Sequence, residues 1–223
     1  MNTFKCDEAS RLHVFIRVLG ITAVVFLMLV SIAGCVSFAG IPNSGSNNIS
    51  ISNKSDEAIK AYDRVIELNP QDSDAWTTKG NALYKLNKFD EAINAYDKSI
   101  EINPQNSKAW YNKGVALYNL NKPEKAIKAY DKAIEINPRD SKAWYNKGLA
   151  LDNLNKYDEA IKTYDKAIEI NPHDSISWDN KGYALGNLGQ SDEAITAYDK
   201  VIEINPQDSD AWTNKSSLSK RIK

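Results

Sequence analysis

Tyrosines, asparagines and lysines recur in this chain at spacings that bring like residues together. Tyr111 and Tyr145 are 34 residues apart, and Asn112, Asn146 and Asn180 follow each other at the same step. Lys108 and Lys142 keep that step too, and Tyr118 and Tyr183 lie nearby in their own segments. The chemistry these types offer is recognition. An asparagine side chain both donates to and accepts from an extended peptide backbone. Tyrosine supplies a large contact area at low conformational cost. Catalysis has no comparable set. The only histidines are His13 and His173, and His173 stands where sister segments carry Gln or Arg. The two cysteines, Cys6 and Cys35, precede all the repeated text, which excludes a disulfide framework or cysteine metal site in the bulk of the chain. No glycine-rich phosphate loop or metal-spaced ligand cluster occurs in that text. Acid pairs such as Asp158–Glu159 fall at predicted helix starts, where they favour the helix dipole. The expectation is a chain that is not an enzyme, with no cofactor and no metal.

The elements that must position these residues are written in the same period. Prolines fall at 70, 104, 138, 172 and 206, and tryptophans at 76, 110, 144, 178 and 212. Ser107–Asp140 and Ser141–Asp174 share 27 of 34 letters. Each unit reads as two short helices. The junction of the "NPQDS" type ends one helix before its proline and offers Asp or Ser to cap the next. Pro123 sits at the start of a second helix, where its missing N–H does no harm. Tyr130, Ile134 and Ile136 give that helix an apolar stripe. A hairpin of this length cannot bury such a stripe alone, so neighbours must stack into a continuous core.

These markers resemble the tetratricopeptide repeat, with Trp110, Gly114, Ala126, Tyr130 and Pro138 at repeat positions 4, 8, 20, 24 and 32. The resemblance implies an all-α, right-handed α-solenoid over residues 55–223. A half repeat spans 55–72, full repeats span 73–106, 107–140, 141–174 and 175–208, and a capping helix spans 209–221. Positions 4, 8 and 11 of each first helix are expected to pack inward. Positions 2, 5, 6, 9, 12 and 13 form the opposite stripe, which in the family lines a concave groove that holds peptides. Carried onto this chain, the groove residues are Lys108, Tyr111, Asn112, Tyr118, Lys142, Tyr145, Asn146, Asn180 and Tyr183. The family's carboxylate clamp is matched at Asn81, Asn112 and Lys142 but broken at Thr77 and Asn146, so the clamp is not carried over. Position 7, usually leucine in the family, is Lys79, Lys113, Lys147, Lys181 and Lys215. Each lysine stem is expected to cover apolar surface with its ammonium in water; a basic row for an anionic partner is the alternative.

The first 54 residues differ. Val18 to Pro42 carries no charge over 25 residues, enough to span a bilayer, which takes about 20 apolar residues. Arg11 and Arg17 precede it and the next basic residue is Lys54, so the positive-inside rule places the chain after Pro42 outside the cytoplasm. Within the apolar run, "SIAGC" at Ser31–Cys35 resembles a bacterial lipobox, which implies lipidation of Cys35; an uncleaved apolar anchor helix is the equal alternative. Residues 1–42 are thus a signal or anchor segment. Residues 43–54 are rich in Gly, Ser and Asn and are expected to form a flexible linker; they hold two sequons, at Asn48 and Asn53, permissive for glycosylation.

Charge narrows the partner. Of 28 basic and 29 acidic side chains, Lys5, Arg11, Arg17, Lys54, Asp7 and Glu8 lie ahead of the repeats. The array is therefore three charges to the acidic side, which argues against nucleic acid. The leading expectation is a membrane-anchored, extracytoplasmic scaffold for a protein or peptide; lipoproteins of this build often help assemble envelope machinery. Alternatives are a structural protein that self-associates through its array ends and a regulatory subunit of an enzyme complex.

Overall fold

The computed structural model describes residues 46–221, and every regular element among them is an α-helix. The leader 1–42 expected as an anchor, with Cys35, lies outside the described residues. The helices are α1 (Ser46–Leu68), α2 (Ser73–Lys85), α3 (Phe89–Ile102), α4 (Ser107–Asn119), α5 (Pro123–Ile136), α6 (Ser141–Asn153), α7 (Tyr157–Ile170), α8 (Ser175–Asn187), α9 (Ser191–Ile204) and α10 (Ser209–Arg221). α1 begins well before Ser55, so most of the expected flexible linker, including Asn48 and Asn53, is helical. Once a helix is nucleated, each added residue gains a hydrogen bond at little further cost, and polar composition does not prevent that growth.

Local chemistry sets the boundaries. The residue before each first helix is Asp72, Asn106, Asp140, Asp174 or Asp208, so the cap is Asp or Asn rather than the following Ser. Asp72 accepts from the Ala75 amide at 2.9 Å, Asn106 from Ala109 at 3.1 Å and Asp208 from Ala211 at 3.0 Å. Asp174 instead accepts from the Ser177 hydroxyl at 2.6 Å. The turn inside each hairpin places Asn87, Asn121 and Asn155 at φ 55–58° and Gly189 at 75°. Left-handed backbone at that point lets Lys88 N–H reach Leu83 O and Asn87 N–H reach Tyr84 O, the paired bonds that end a helix in a Schellman turn. Pro123 opens α5, as its chemistry requires.

Helices pack in sequence order, as hairpins that stack. First helices of successive repeats (α2, α4, α6, α8) also touch one another, whereas second helices approach less. The first helices therefore line the tighter, inner side of the stack. Alanines dominate the core: Ala92, Ala126, Ala160 and Ala194 are fully buried, as are Ala109, Ala116, Ala143 and Ala150. The tryptophans meet their expectation in part. Trp76, Trp110, Trp144 and Trp178 pack against the core but are only half-buried, and Trp212 is 51% exposed. Position 3 is the buried one. Each indole N–H instead donates to the proline carbonyl of the preceding junction, at 3.0–3.2 Å in all five repeats. Tryptophan holds the turn, and a polar N–H favours that edge over the core.

Inside each hairpin, a glycine meets a tyrosine ring. A Cβ on Gly80, Gly114 or Gly148 would lie against Tyr96, Tyr130 or Tyr164 of its own repeat, well inside normal contact. Thr163 Oγ1 closes a second side of Gly148 at 2.8 Å. A Cβ on Gly186 would meet only Leu218, at 3.9 Å. The same substitution should therefore act in opposite senses. Gly148→Ala should destabilise by about 1–3 kcal/mol through overpacking, while Gly186→Ala should be neutral or stabilising by up to about 1 kcal/mol through helix propensity. Urea unfolding of the two variants checks this; equal midpoints would contradict the glycine–tyrosine packing.

Candidate binding face

The inner face presents the predicted residues, but not as free side chains. Tyr111 and Tyr145 are half-buried. Each ring lies near the core tyrosine of its repeat, with centroids 6.0 Å from Tyr130 and 6.1 Å from Tyr164. Burial raises both phenol pKa values, with Asp140 and Asp174 respectively adding to it. The Asn146 side chain donates to the Tyr111 hydroxyl at 3.0 Å and to the Lys142 carbonyl at 2.9 Å. Asn180 repeats the arrangement with Tyr145 at 3.4 Å and Ile176 at 2.9 Å. Asn112 donates to Asn81 Oδ1 at 2.8 Å, since Thr77 stands where a tyrosine would. The asparagine ladder is thus a set of struts between repeats. In Asn146 and Asn180 both amide donors are committed, and the carbonyl oxygens are what remain for a ligand.

Other predicted residues are open. Lys108 and Lys142 are exposed and make no ion pair among the described residues. Tyr118 is half-buried against the α4–α5 core. Tyr183 is 54% exposed, edge-on to Tyr157 at 6.5 Å. The sequence reasoning missed Ile176, 59% exposed and about two turns from Tyr183 on the same stripe. Its signal is positional: Ile176 occupies position 2, where Lys108 and Lys142 are charged. The inner face therefore runs from two lysines on α4 and α6 to an apolar pair on α8.

Two carboxylates on this face are desolvated. Asp152 replaces the tyrosine found at its repeat position in Tyr84 and Tyr118. Its Oδ2 accepts from the Tyr164 hydroxyl at 2.6 Å, and its Oδ1 is buried with no hydrogen-bond partner. Burial raises its pKa, opposed by the Tyr164 bond. Asp179 is raised by burial first and by Asp208 and Asp210 next. No group of three or more metal-ligating side chains converges among the described residues.

The position-7 lysines lie on apolar surface as expected, but their ammonium groups are paired rather than left to water. Each ammonium pairs with an aspartate of the preceding second helix: Lys79–Asp63, Lys113–Asp97, Lys147–Asp131, Lys181–Asp165 and Lys215–Asp199, all at 2.5–2.6 Å. Each also lies over the tryptophan three residues before it, 5.2–5.8 Å from the ring centroid. Partly exposed pairs of this kind contribute up to about 1 kcal/mol each. They fasten repeat to repeat and leave no basic row.

The half-satisfied Asp152 carboxylate yields a pH test. Its folded-state pKa is raised, so its contribution to stability is fully present below the unfolded value and is lost as pH rises through the folded one. Asp152→Asn keeps an acceptor for Tyr164 and removes the buried charge. It should raise the melting temperature at pH 7, and the gain should shrink to nothing towards pH 3. A variant melting lower than wild type at pH 7 would show that the carboxylate is satisfied in solution.

Comparison with known proteins agrees with this geometry. Tetratricopeptide-repeat families match residues 52–107 and 77–141, 141–174 and 163–196. No curated protein matches the chain. Among solved structures, YrrB, described as a TPR protein with an unusual peptide-binding site, is 26% identical with a TM-score of 0.66, covering 72% of this chain and 82% of its own. One MamA structure is 26% identical with a TM-score of 0.65, covering 74% of this chain and 93% of its own. A second MamA structure is 25% identical with a TM-score of 0.67, covering 77% and 99%. The matched residues span more than half of the sequence, and the stacked hairpins they describe are those seen here: the chain belongs to the tetratricopeptide-repeat family.

Proposed function

We propose that the array is a non-enzymatic scaffold that binds an extended segment of a protein partner along its inner face. The observation that carries this is the inner face of α8, where Ile176 and Tyr183 stand exposed while the other large apolar side chains of the repeat are buried or half-buried. Lys108 and Lys142 supply unpaired charge further along the same face, and the Asn146 and Asn180 carbonyls supply acceptors for a peptide backbone. The peptide-binding site named for YrrB supports the same reading. The scaffold is held at a membrane, outside the cytoplasm, by the apolar segment Val18–Pro42, through a lipidated Cys35 or an uncleaved helix. No helix among the described residues is long and apolar enough to cross a membrane, so the tether rests on that segment alone.

Exposed residues make the cleaner test. Truncating Tyr111 or Tyr145 would break the inter-repeat struts and mix folding with binding. Ile176→Ala with Tyr183→Ala should leave the melting curve nearly unchanged. It should weaken capture of the partner recovered from solubilised native membranes at least ten-fold, a loss of about 1.4 kcal/mol. Lys108→Glu with Lys142→Glu should weaken capture of an acidic partner, less so as salt is added. Lys162→Ala with Lys166→Ala, on the second-helix side, should have no effect. If that last pair abolished capture while the α8 pair did not, the inner face would not be the binding face.

A further inference from the structure

The outer side of the stack holds grooves between successive second helices, and one of them differs from its neighbour in charge. The groove between α3 and α5 encloses about 660 Å³. Its floor is Ile93, Trp110, Leu117 and Ala129. The preceding groove, about 900 Å³, has the same floor one repeat earlier, in Ile59, Trp76, Leu83 and Ala95. Two grooves with one floor form an internal comparison, in which only the rims change.

The rim of the α3–α5 groove carries Lys125, Lys128 and Lys132. At the same repeat positions the preceding groove carries Glu91, Asn94 and Lys98. Lys125 is the informative residue. Its counterparts in the other full repeats are Glu91, Glu159 and Glu193, all acids in the first turn of a second helix. A lysine there loses the favourable interaction of an acid with the helix N-terminus, and packing gives no reason for the change, since the side chain is exposed. The acids that line the groove do not cancel it. Asp97 is taken by Lys113 at 2.5 Å and Asp131 by Lys147 at 2.6 Å. Lys132 is paired with Glu135 at 2.6 Å. Lys125 and Lys128 make no ion pair among the described residues. Two unpaired ammonium groups, three residues apart on one helix, thus stand at the rim of an apolar groove in an array that is acidic overall.

We infer that the α3–α5 groove is a second docking site, which takes an acidic peptide segment of a protein partner. One aliphatic or aromatic side chain of that segment fills the floor at Ile93, Leu117 and Ala129, and two of its carboxylates pair with Lys125 and Lys128. Residues three apart on a helix are neighbours, so carboxylates spaced by one turn, or by two residues of extended chain, reach both. The site is on the opposite side from the inner face, so both can be occupied together.

The test uses the full chain and a fluorescein-labelled peptide, Glu-Asp-Glu-Leu-Phe-Glu-Asp-Glu, beside the same peptide with every acid changed to its amide. The acidic probe should bind with an affinity that falls as salt rises, and the amide probe at least ten-fold more weakly. Lys125→Glu with Lys128→Glu should reduce binding of the acidic probe at least ten-fold, with an unchanged melting curve. Glu91→Lys with Asn94→Lys should raise the stoichiometry towards two by giving the preceding groove the same rim. Ile176→Ala with Tyr183→Ala should not alter binding of the probe. Zero-length carboxyl–amine cross-linking should join the probe to Lys125 or Lys128. The proposal is overturned if the acidic probe does not bind, if the double lysine variant binds it as well as wild type, or if the α8 variant removes it. Binding of phosphatidylserine vesicles or a single-stranded oligonucleotide through the same lysines, in the absence of peptide binding, would also overturn it in favour of a lipid or nucleic-acid occupant.

Discussion

The fit of a tyrosine ring on a glycine sets the hairpin, and much of the inner face depends on it. Gly80, Gly114 and Gly148 leave no room for a Cβ because Tyr96, Tyr130 and Tyr164 lie against them. These tyrosines are at most 1% exposed, and burial pushes their phenol pKa values far above the usual range. A buried phenol still needs somewhere to send its hydroxyl. Tyr96 donates to Asn81 at 2.9 Å and Tyr164 to Asp152 at 2.6 Å, both on the inner face. The ring also backs Tyr111 or Tyr145. A core contact inside one hairpin therefore dictates part of what the inner face can carry. α10 departs from this pattern, since Ser216 stands in the glycine's place.

Between hairpins the fastening is different in kind. Tryptophan holds the junction carbonyl, lysine lies over tryptophan, and the aspartate of the previous second helix holds lysine. The three groups come from two repeats, so the unit does not exist in a single hairpin. This suits a stack whose stability is the sum of weak units and nearest-neighbour contacts. It also explains why a position that the family fills with leucine tolerates lysine here. The charge is neutralised by a partner 16 residues earlier, and the aliphatic stem still packs.

What could be read from the sequence divides along these lines. The period, the helix pairs, the inward-packed glycine position and Pro123 at a helix start all come from local propensity and from spacing within one unit, whereas the tyrosine that meets each glycine does not. The cap, Asp or Asn rather than Ser, differs by one residue, and only the geometry of the junction decides between them. The lysine–aspartate pairs are hidden because they link positions 7 and 25 of different repeats, and nothing in one helix points to that partner. The asparagines are legible as an inner-face ladder, but their donors are spent on Tyr111, Tyr145 and backbone carbonyls, which only the stack reveals. Ile176 is one aliphatic letter among many, and only comparison with Lys108 and Lys142 at its own position marks it out.

Variation among copies is not in itself a sign of a ligand. Thr77, Ser99 and Asn106 depart together from Tyr111, Ala133 and Asp140 one repeat on. In the structure they form one buried cluster: Thr77 and Ser99 hydroxyls lie 2.7 Å apart, and Asn106 Nδ2 donates to both at 3.1 Å. An aspartate in that place would face the hydroxyls with acceptors alone, whereas asparagine supplies the donor and still caps α4. Three variable letters are thus accounted for by one another. Once such mutually explained sets are removed, few departures are left. Ile176 on the inner side and Lys125 on the outer side have no contact that requires them, and Tyr183 stays 54% exposed beside its edge contact with Tyr157. A repeat that keeps its stacking letters and changes an exposed one gains nothing internally from the change. For that reason the two proposed docking sites rest on these exposed departures rather than on the tyrosine and asparagine ladder.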